Sequence, residues 1–70
     1  MNIYLSNQTV QLKESIFLNE TLEHLKNLMQ ISTQHFAIVI NQCFVPRSLY
    51  ATTLLQEGDH IDFIFPMQGG

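Results

Sequence analysis

The chain has 70 residues, which is the size of one domain. Hydrophobic side chains make up 46% of it and charged side chains 13%, which is half of the ~25% that is typical of soluble chains. This composition excludes a disordered polyelectrolyte and supplies enough apolar residues for a core. Folding buries only about 60% of the unfolded surface at this length, so an enclosed active site is not expected. We expect the chain to present a feature to a larger partner.

Charge and hydropathy exclude several classes of partner. The formal charge is −3, and the three basic residues are Lys13, Lys26 and Arg47. Three dispersed cations form neither the phosphate-binding footprint of a nucleic-acid protein nor a polybasic membrane patch. The longest wholly apolar run, residues 36–40, is too short to cross a membrane, and residues 1–8 lack the regions of a signal peptide. We therefore expect a cytoplasmic chain that binds neither nucleic acid nor membrane.

The first predicted element is a β-hairpin. Ile3 and Leu5 share one face of an alternating segment, and the alternation resumes at Val10. Between them, Asn7-Gln8 predicts a tight turn, because Asn tolerates positive φ.

A change of period then marks one amphipathic helix, which we place at 19–30. Its apolar stripe is spaced i, i+4, i+7 and i+11 and predicts a face that packs on the core. The stripe consists of Leu18, Leu22, Leu25 and Met29, with Leu28 beside them. Asn19 is the predicted N-cap, and Glu20 and Glu23 lie where the helix dipole favours carboxylates. Lys26 is placed on the outer, solvated side.

The second half of the chain contains three predicted strands. Residues 36–40 are apolar on both faces, which is typical of an interior strand. A turn separates them from a short strand at 43–45, and residues 48–55 form a less regular stretch with about one helical turn. Residues 56–59 are a turn signal, and residues 60–65 form the last strand, whose odd-numbered positions share a face.

This order of elements predicts a two-layer α+β domain, because one helix can cover only one face of a four- or five-stranded sheet. If the two terminal strands lie side by side in the middle, they run parallel and the helix supplies the crossover. That arrangement is the β-grasp, which we prefer to a plain meander. The domain is assigned to residues 1–65, and residues 66–70 form a C-terminal Gly-Gly tail.

The feature that carries chemistry is the dipeptide Gly69-Gly70 at the end of the sequence. One explanation is a frayed polar terminus that tolerates glycine. The functional explanation is that an α-carboxylate must be threaded into a narrow nucleotide site of a partner, which glycine permits because it has no Cβ. An extended segment from Pro66 to Gly70 reaches roughly 17 Å at ~3.3 Å per residue, enough to enter such a pocket while the domain docks outside.

With these features the sequence resembles the thiamine-biosynthesis sulfur carriers (the ThiS family), a branch of the ubiquitin-like β-grasp proteins. The resemblance covers nearly the whole chain and rests on the order and spacing of several motifs. These are the opening Met1-Asn2-Ile3, the helix at 18–28, the block 37–41 followed by Val45-Pro46-Arg47, the turn Glu57-Gly58-Asp59, and Gly69-Gly70.

The resemblance implies a carrier that is acted on by its partners and is not itself an enzyme. An E1-like adenylyltransferase would adenylate the Gly70 carboxylate with ATP, and a sulfurtransferase or cysteine desulfurase would supply sulfur from a persulfide. The resulting Gly70 thiocarboxylate would donate its sulfur to thiazole synthase. Tail recognition would involve Pro66, Met67, Gln68 and Gly69. No cofactor would be bound, ATP being used by the partner, and the free chain would be a monomer.

Two alternatives stay open at this point. Phe65-Pro66 before the tail also resembles the small sulfur-carrier subunit of molybdopterin synthase. A non-covalent β-grasp interaction module with an incidental tail is the second alternative. An autonomous enzyme has no support, because no nucleophile-elbow motif surrounds any serine.

A partner interface is predicted on the sheet face away from the helix. Along each strand the bulkier residues alternate with the residues of the other face, which include Tyr4, Val39 and Ile64. These three residues form a candidate apolar docking patch beside the tail. The alternative is that residues 48–55 cover this face. Arg47 is included in the interface as a partner for an acidic group, although a simply solvated turn residue is the preferred interpretation and anchoring of its own loop is a third.

The single cysteine and the three histidines predict no further chemistry. Cys43 excludes an internal disulfide and is expected to be a buried or half-buried structural thiol, since no cation stands near it in the sequence. His24, His35 and His60 lack metal-ligand spacing and are expected at the surface or at edges, so no metal site is predicted.

Overall fold

The computed structural model describes residues 1–6 and 8–66, which form a five-stranded mixed sheet with one α-helix on one face. The elements in chain order are β1 (Asn2–Leu5), β2 (Gln8–Gln11), α1 (Leu18–Leu28), β3 (Ala37–Ile40), β4 (Cys43–Val45), a 3-10 helix (Arg47–Thr52) and β5 (His60–Ile64). This order confirms the predicted α+β class and the predicted sequence of elements.

The two terminal strands meet inside the sheet. The strand order is β2-β1-β5-β3-β4, and β1 and β5 run parallel, whereas the other neighbours are antiparallel. A parallel pair cannot be joined by a tight turn, so the chain between these strands must cross over one face, where α1 lies. This is the predicted β-grasp arrangement. β3 lies between β5 and β4, which confirms it as an interior strand.

The core lies between α1 and the sheet, because alternate strand residues point toward the helix. The buried strand residues are those that the alternation along each strand predicted to face the helix, such as Ile3, Leu5, Ile38 and Ile61. The 3-10 helix contributes Tyr50 to the core and the loop after it contributes Leu55, and both are buried. The core cluster as a whole consists of Ile3, Leu5, Val10, Leu18, Leu25, Phe36, Ile38, Ile40, Tyr50, Leu55, Ile61 and Phe63.

The start of α1 differs from the prediction of an Asn19 N-cap. The helix begins at Leu18, its N-cap is Phe17, and no side chain caps it. The Leu18 amide instead donates a 2.8 Å hydrogen bond to the carbonyl of Thr53. A helix start needs acceptors for its free N–H groups, and a carbonyl distant in sequence meets part of this need here. The helix ends at Leu28, two residues before the predicted end.

Lys26 was expected on the solvated side of the helix, and this expectation is wrong. Its side chain is only about 5% exposed, its ammonium lies 5.6 Å from the centre of the Phe36 ring, and it reaches a Glu23 carboxylate oxygen at 3.7 Å. The aliphatic stem packs on apolar surface while the charge contacts the ring face and a carboxylate. Leu28, expected beside the stripe, is 38% exposed and does not belong to the buried core.

The turns follow the predicted positions with one shift. Asn41 and Gln42 have φ of 51° and 69°, which confirms the turn between β3 and β4. In the first hairpin Ser6 has φ 41° and Gln8 already belongs to β2, so the turn begins one residue earlier than predicted. Asn7 lies outside the described residues, as do Met67, Gln68, Gly69 and Gly70 of the predicted tail.

Candidate functional site

The C-terminal segment leaves the sheet from β5, one of the inner strands. β5 is hydrogen-bonded to β1 on one side and to β3 on the other, and Ile64 at its end stands opposite Ala37 at the start of β3. The strand ends one residue earlier than predicted, and Phe65, expected on the core face, is about half exposed. The residues after Pro66 therefore follow a strand that is hydrogen-bonded to a neighbouring strand on each side.

The turn before β5 is fixed by the acidic side chain of Asp59. One carboxylate oxygen accepts a 3.0 Å hydrogen bond from the Asn41 side-chain amide, and the other accepts a 2.8 Å bond from the Gln56 backbone N–H. The Asn41 side chain in turn accepts from the His60 N–H at 2.9 Å. These bonds join the turn to the β3–β4 hairpin, which explains why an acid occupies this position.

The same turn is attached to β1. Gly58 has φ +84°, a conformation that favours glycine, and its N–H donates to the Asn2 carbonyl at 2.7 Å. A Glu57 carboxylate oxygen accepts from the Asn2 N–H at 3.0 Å. The Glu57-Gly58-Asp59 motif thus sets the start of β5 against both of its neighbours.

The structure places the predicted interface residues Tyr4, Val39 and Ile64 on the sheet face opposite α1. Val39 and Ile64 lie diagonally across the β3–β5 pair, and Ile64 is 51% exposed. Tyr4 lies farther along this face, on β1, where its ring packs on His60 with ring centroids 4.9 Å apart. The three residues share a face, but they do not form one tight cluster.

Residues 48–55 do not cover this face, so the alternative explanation of the patch is wrong. The 3-10 helix packs against α1, and an isolated bridge joins Phe17, just before α1, to Leu54, just after the 3-10 helix. Phe44 is an additional exposed residue of the outer face, 65% exposed and paired with Val39. Phe44 alternates with Cys43 and Val45 along β4, and this pattern in the sequence could have placed Phe44 on the outer face.

Arg47 is anchored within the molecule, at the end of the sheet where the chain continues beyond β5. Its guanidinium lies 5.4 Å from the centre of the Phe36 ring and donates a hydrogen bond to the Gln34 carbonyl. It lines a shallow depression together with Phe65 and Pro66. A purely solvated side chain, the preferred interpretation, is therefore wrong, and anchoring of its own loop is what the structure shows.

The titratable side chain next to Arg47 in the 3-10 helix is buried. Burial raises the pKa of the Tyr50 phenol above its ordinary value of 10.0, and the nearby Arg47 charge opposes this rise. The phenol therefore stays neutral at physiological pH and packs as a core group, which gives it no nucleophilic role.

Cys43 was expected to be buried or half-buried, but it is exposed. The reason is topological, since β4 is a short strand at the edge of the sheet and Cys43 begins it. The three histidines are exposed as predicted. Within residues 1–6 and 8–66, no three His, Cys, Asp or Glu side chains are grouped so that they could hold a metal ion.

Comparison with known proteins decides the family. The family model described as "ThiS family" matches residues 3–70. The chain belongs to the ThiS family. No curated protein matches it. The match extends over the C-terminal residues that the structure does not describe.

Solved structures of ThiS proteins share this fold. The crystal structure of the thiamine biosynthesis protein ThiS from Geobacter metallireducens has 20% identity and a TM-score of 0.76 and covers 100% of both chains. An NMR solution structure of a thiamine biosynthesis protein from the same organism has 27% identity and a TM-score of 0.69, covering 100% of this chain and 88% of that one. These similarities confirm the ubiquitin-like β-grasp prediction. In the part of the chain that the structure describes, no helix is both long enough and apolar enough to span a membrane.

Proposed function

We propose that this ThiS-family chain is the sulfur carrier for formation of the thiazole of thiamine. The observation that carries the proposal is the family match over residues 3–70, which includes Gly69-Gly70. Membership of this family supports a sulfur-carrier role and a protein that is acted on by enzymes. The Geobacter metallireducens structures, described as thiamine biosynthesis proteins, support the pathway.

The chemistry takes place at the Gly70 carboxylate. A carboxylate oxygen attacks the α-phosphorus of ATP, pyrophosphate leaves, and the carbonyl becomes an acyl-adenylate. The terminal sulfur of a protein persulfide then attacks this carbonyl and AMP leaves, giving an acyl disulfide. A thiol reduces the disulfide bond and releases the Gly70 thiocarboxylate, which is a soft nucleophile that delivers sulfur without free sulfide.

The folded domain contributes position. The Asp59 and Gly58 hydrogen bonds set the start of β5, and β1 and β3 hold the strand on both sides, so the segment after Pro66 begins from a defined place. The glycines at 69 and 70 let the backbone pass close walls in the partner's site. ATP is bound by the E1-like adenylyltransferase and not by this chain.

Three partners follow from this scheme. The adenylyltransferase and the sulfurtransferase or cysteine desulfurase load the carrier, and thiazole synthase unloads it. The outer face around Ile64 and Phe44 offers exposed apolar surface for such contacts. A monomeric free chain fits sequential visits to several enzymes.

The proposal is tested by intact-mass spectrometry. The chain is incubated with ATP, the adenylyltransferase from the same organism and a persulfide donor. The expected result is a mass gain equal to exchange of one oxygen for one sulfur, located at Gly70 by fragmentation. No gain with an active enzyme would contradict the carrier function and leave the non-covalent interaction module as the better explanation.

A matched variant carries one extra alanine after Gly70. The addition leaves the domain unchanged but moves the carboxylate away from the Gly-Gly position, so adenylation should be lost while the melting temperature stays the same. If the extended chain were adenylated as fast as the original one, recognition of the Gly-Gly end would be refuted.

A further inference from the structure

We propose that Arg47 is a pre-positioned docking site for a carboxylate on the adenylyltransferase, at the edge of the contact through which the C-terminal segment enters that enzyme. This inference rests on the proposed function, because it names a chemical feature of the same partner. It concerns recognition of the folded domain and not the chemistry at Gly70.

The first support is that contacts within the fold restrict the conformation of the Arg47 side chain. One guanidinium N–H is held by the Gln34 carbonyl, and the guanidinium lies over the Phe36 ring. An arginine on an exposed surface normally loses rotamer freedom when it forms an ion pair, which removes much of the benefit of pairing. Here the fold already restricts the side chain, so a partner's carboxylate would meet an ordered group.

The second support is unused capacity for bonding. A guanidinium has five N–H donors, and among residues 1–6 and 8–66 Gln34 supplies the single acceptor found for Arg47. Within the same residues the one ion pair joins Lys26 to Glu23, so Arg47 has no acidic partner there. The side chain is exposed, and its remaining donors suit the two oxygens of a carboxylate.

The third support is location and charge. Arg47 lines a depression with His35, Phe65 and Pro66, at the point where the C-terminal segment leaves the sheet. The other basic side chains do not compete, because Lys26 is buried and Lys13 lies in the loop after β2. In a chain of net charge −3, Arg47 is thus the exposed cation next to the segment that must enter the partner.

The geometry also separates this contact from the nucleotide. An extended segment from Pro66 to Gly70 spans roughly 17 Å. In the proposed scheme Arg47, which lies beside Pro66, is separated from the Gly70 carboxylate by up to this length, so the group that it binds lies outside the nucleotide site. A partner carboxylate beside apolar surface that accepts Phe65 is the chemistry that fits, and a phosphate group of ATP is not.

The test compares Arg47→Gln, Arg47→Lys and a matched control, Lys13→Gln. Glutamine keeps a polar side chain with N–H donors but is shorter and removes the charge, and lysine keeps the charge without the planar guanidinium. Affinity for the adenylyltransferase is measured by calorimetry, and KM and kcat are measured from ATP-dependent pyrophosphate release. We expect Arg47→Gln to raise Kd and KM about tenfold with kcat unchanged, Arg47→Lys to recover only part of this loss because it keeps the charge but not the guanidinium, and Lys13→Gln to change neither constant.

Salt dependence provides a readout that a purely structural role would not affect. Added salt should weaken binding of the original chain more steeply than binding of Arg47→Gln, because ions screen the charge pair. Melting temperatures establish whether each variant folds, and Arg47→Lys keeps the test valid should the glutamine variant unfold.

The outcomes separate this inference from the proposed function. Equal Kd and equal salt dependence for the folded Arg47→Gln and the original chain would overturn the docking role while adenylation stands. Normal binding of the original chain without pyrophosphate release would overturn the carrier function, and the Kd comparison would still decide the role of Arg47. Absence of any binding would overturn both.

Discussion

Replacing Asp59 by alanine tests whether the turn before β5 is fixed by this carboxylate. The variant removes the acceptor for the Asn41 side-chain amide at 3.0 Å and for the Gln56 N–H at 2.8 Å. Hydrogen bonds to a charged group are each worth about 1.5–3 kcal/mol when well shielded, and Asp59 is only half-buried. Because Asp59 is only half-buried, we take about 1 kcal/mol for each bond and expect a loss of about 2 kcal/mol in the free energy of unfolding.

For a domain of this size, about 2 kcal/mol corresponds to a fall in melting temperature of roughly 10 °C. The assay is thermal and urea unfolding followed by circular dichroism, with the denaturant slope checked for constancy. Asp62→Ala is the matched control, because Asp62 is also a half-buried aspartate of the same region and its side chain accepts no hydrogen bond within the described residues. It should cost less than about 0.5 kcal/mol.

The reasoning about the turn would be refuted in either of two ways. Asp59→Ala could unfold at the same temperature as the original chain, or Asp62→Ala could be equally destabilising. In either case the two hydrogen bonds would not be what holds the start of β5.

Two further predictions concern the core. Leu25→Ala should destabilise the domain by about 2–5 kcal/mol in urea unfolding, because Leu25 is fully buried. Leu28→Ala on the same helix should cost no more than about 1.5 kcal/mol, because Leu28 is 38% exposed, and equal losses would contradict the observed orientation of α1. The raised pKa of Tyr50 means that the folded state holds the phenolic proton more tightly than the unfolded state does. The contribution of this proton to the free energy of unfolding is full below pH 10 and is lost as the pH rises through the folded-state pKa. Tyr50→Phe should therefore flatten the fall of unfolding free energy that is measured as the pH rises above about 10, and an unchanged slope would show that Tyr50 is not the responsible group.

Most of the fold could be predicted from local patterns. The period of two in Ile3 and Leu5, the helical stripe from Leu18 to Met29, and the turn residues Asn41 and Gly58 each act through neighbours within a few positions. Burial of the alternate strand residues followed because side chains on a strand point to opposite faces. The parallel pairing of β1 and β5 was inferred from the single helix between them, and it was confirmed because few topologies satisfy that constraint.

The candidate site was only partly predictable. Parity alone placed Tyr4, Val39 and Ile64 on the outer face. It could not show that residues 48–55 leave that face open, because this depends on where the 3-10 helix packs. The exposure of Cys43 likewise depends on β4 being an edge strand, which is a property of the sheet order.

The sequence by itself determined the order of elements, the core face of each and the Gly69-Gly70 motif. These features depend on residue type and on spacing along the chain. Only the tertiary structure decided which carbonyl begins α1, that Lys26 is buried against Phe36, and that Arg47 is anchored by Gln34. Each of these results depends on a contact between residues far apart in the chain, and the free energy of such a contact exists only after the chain has folded.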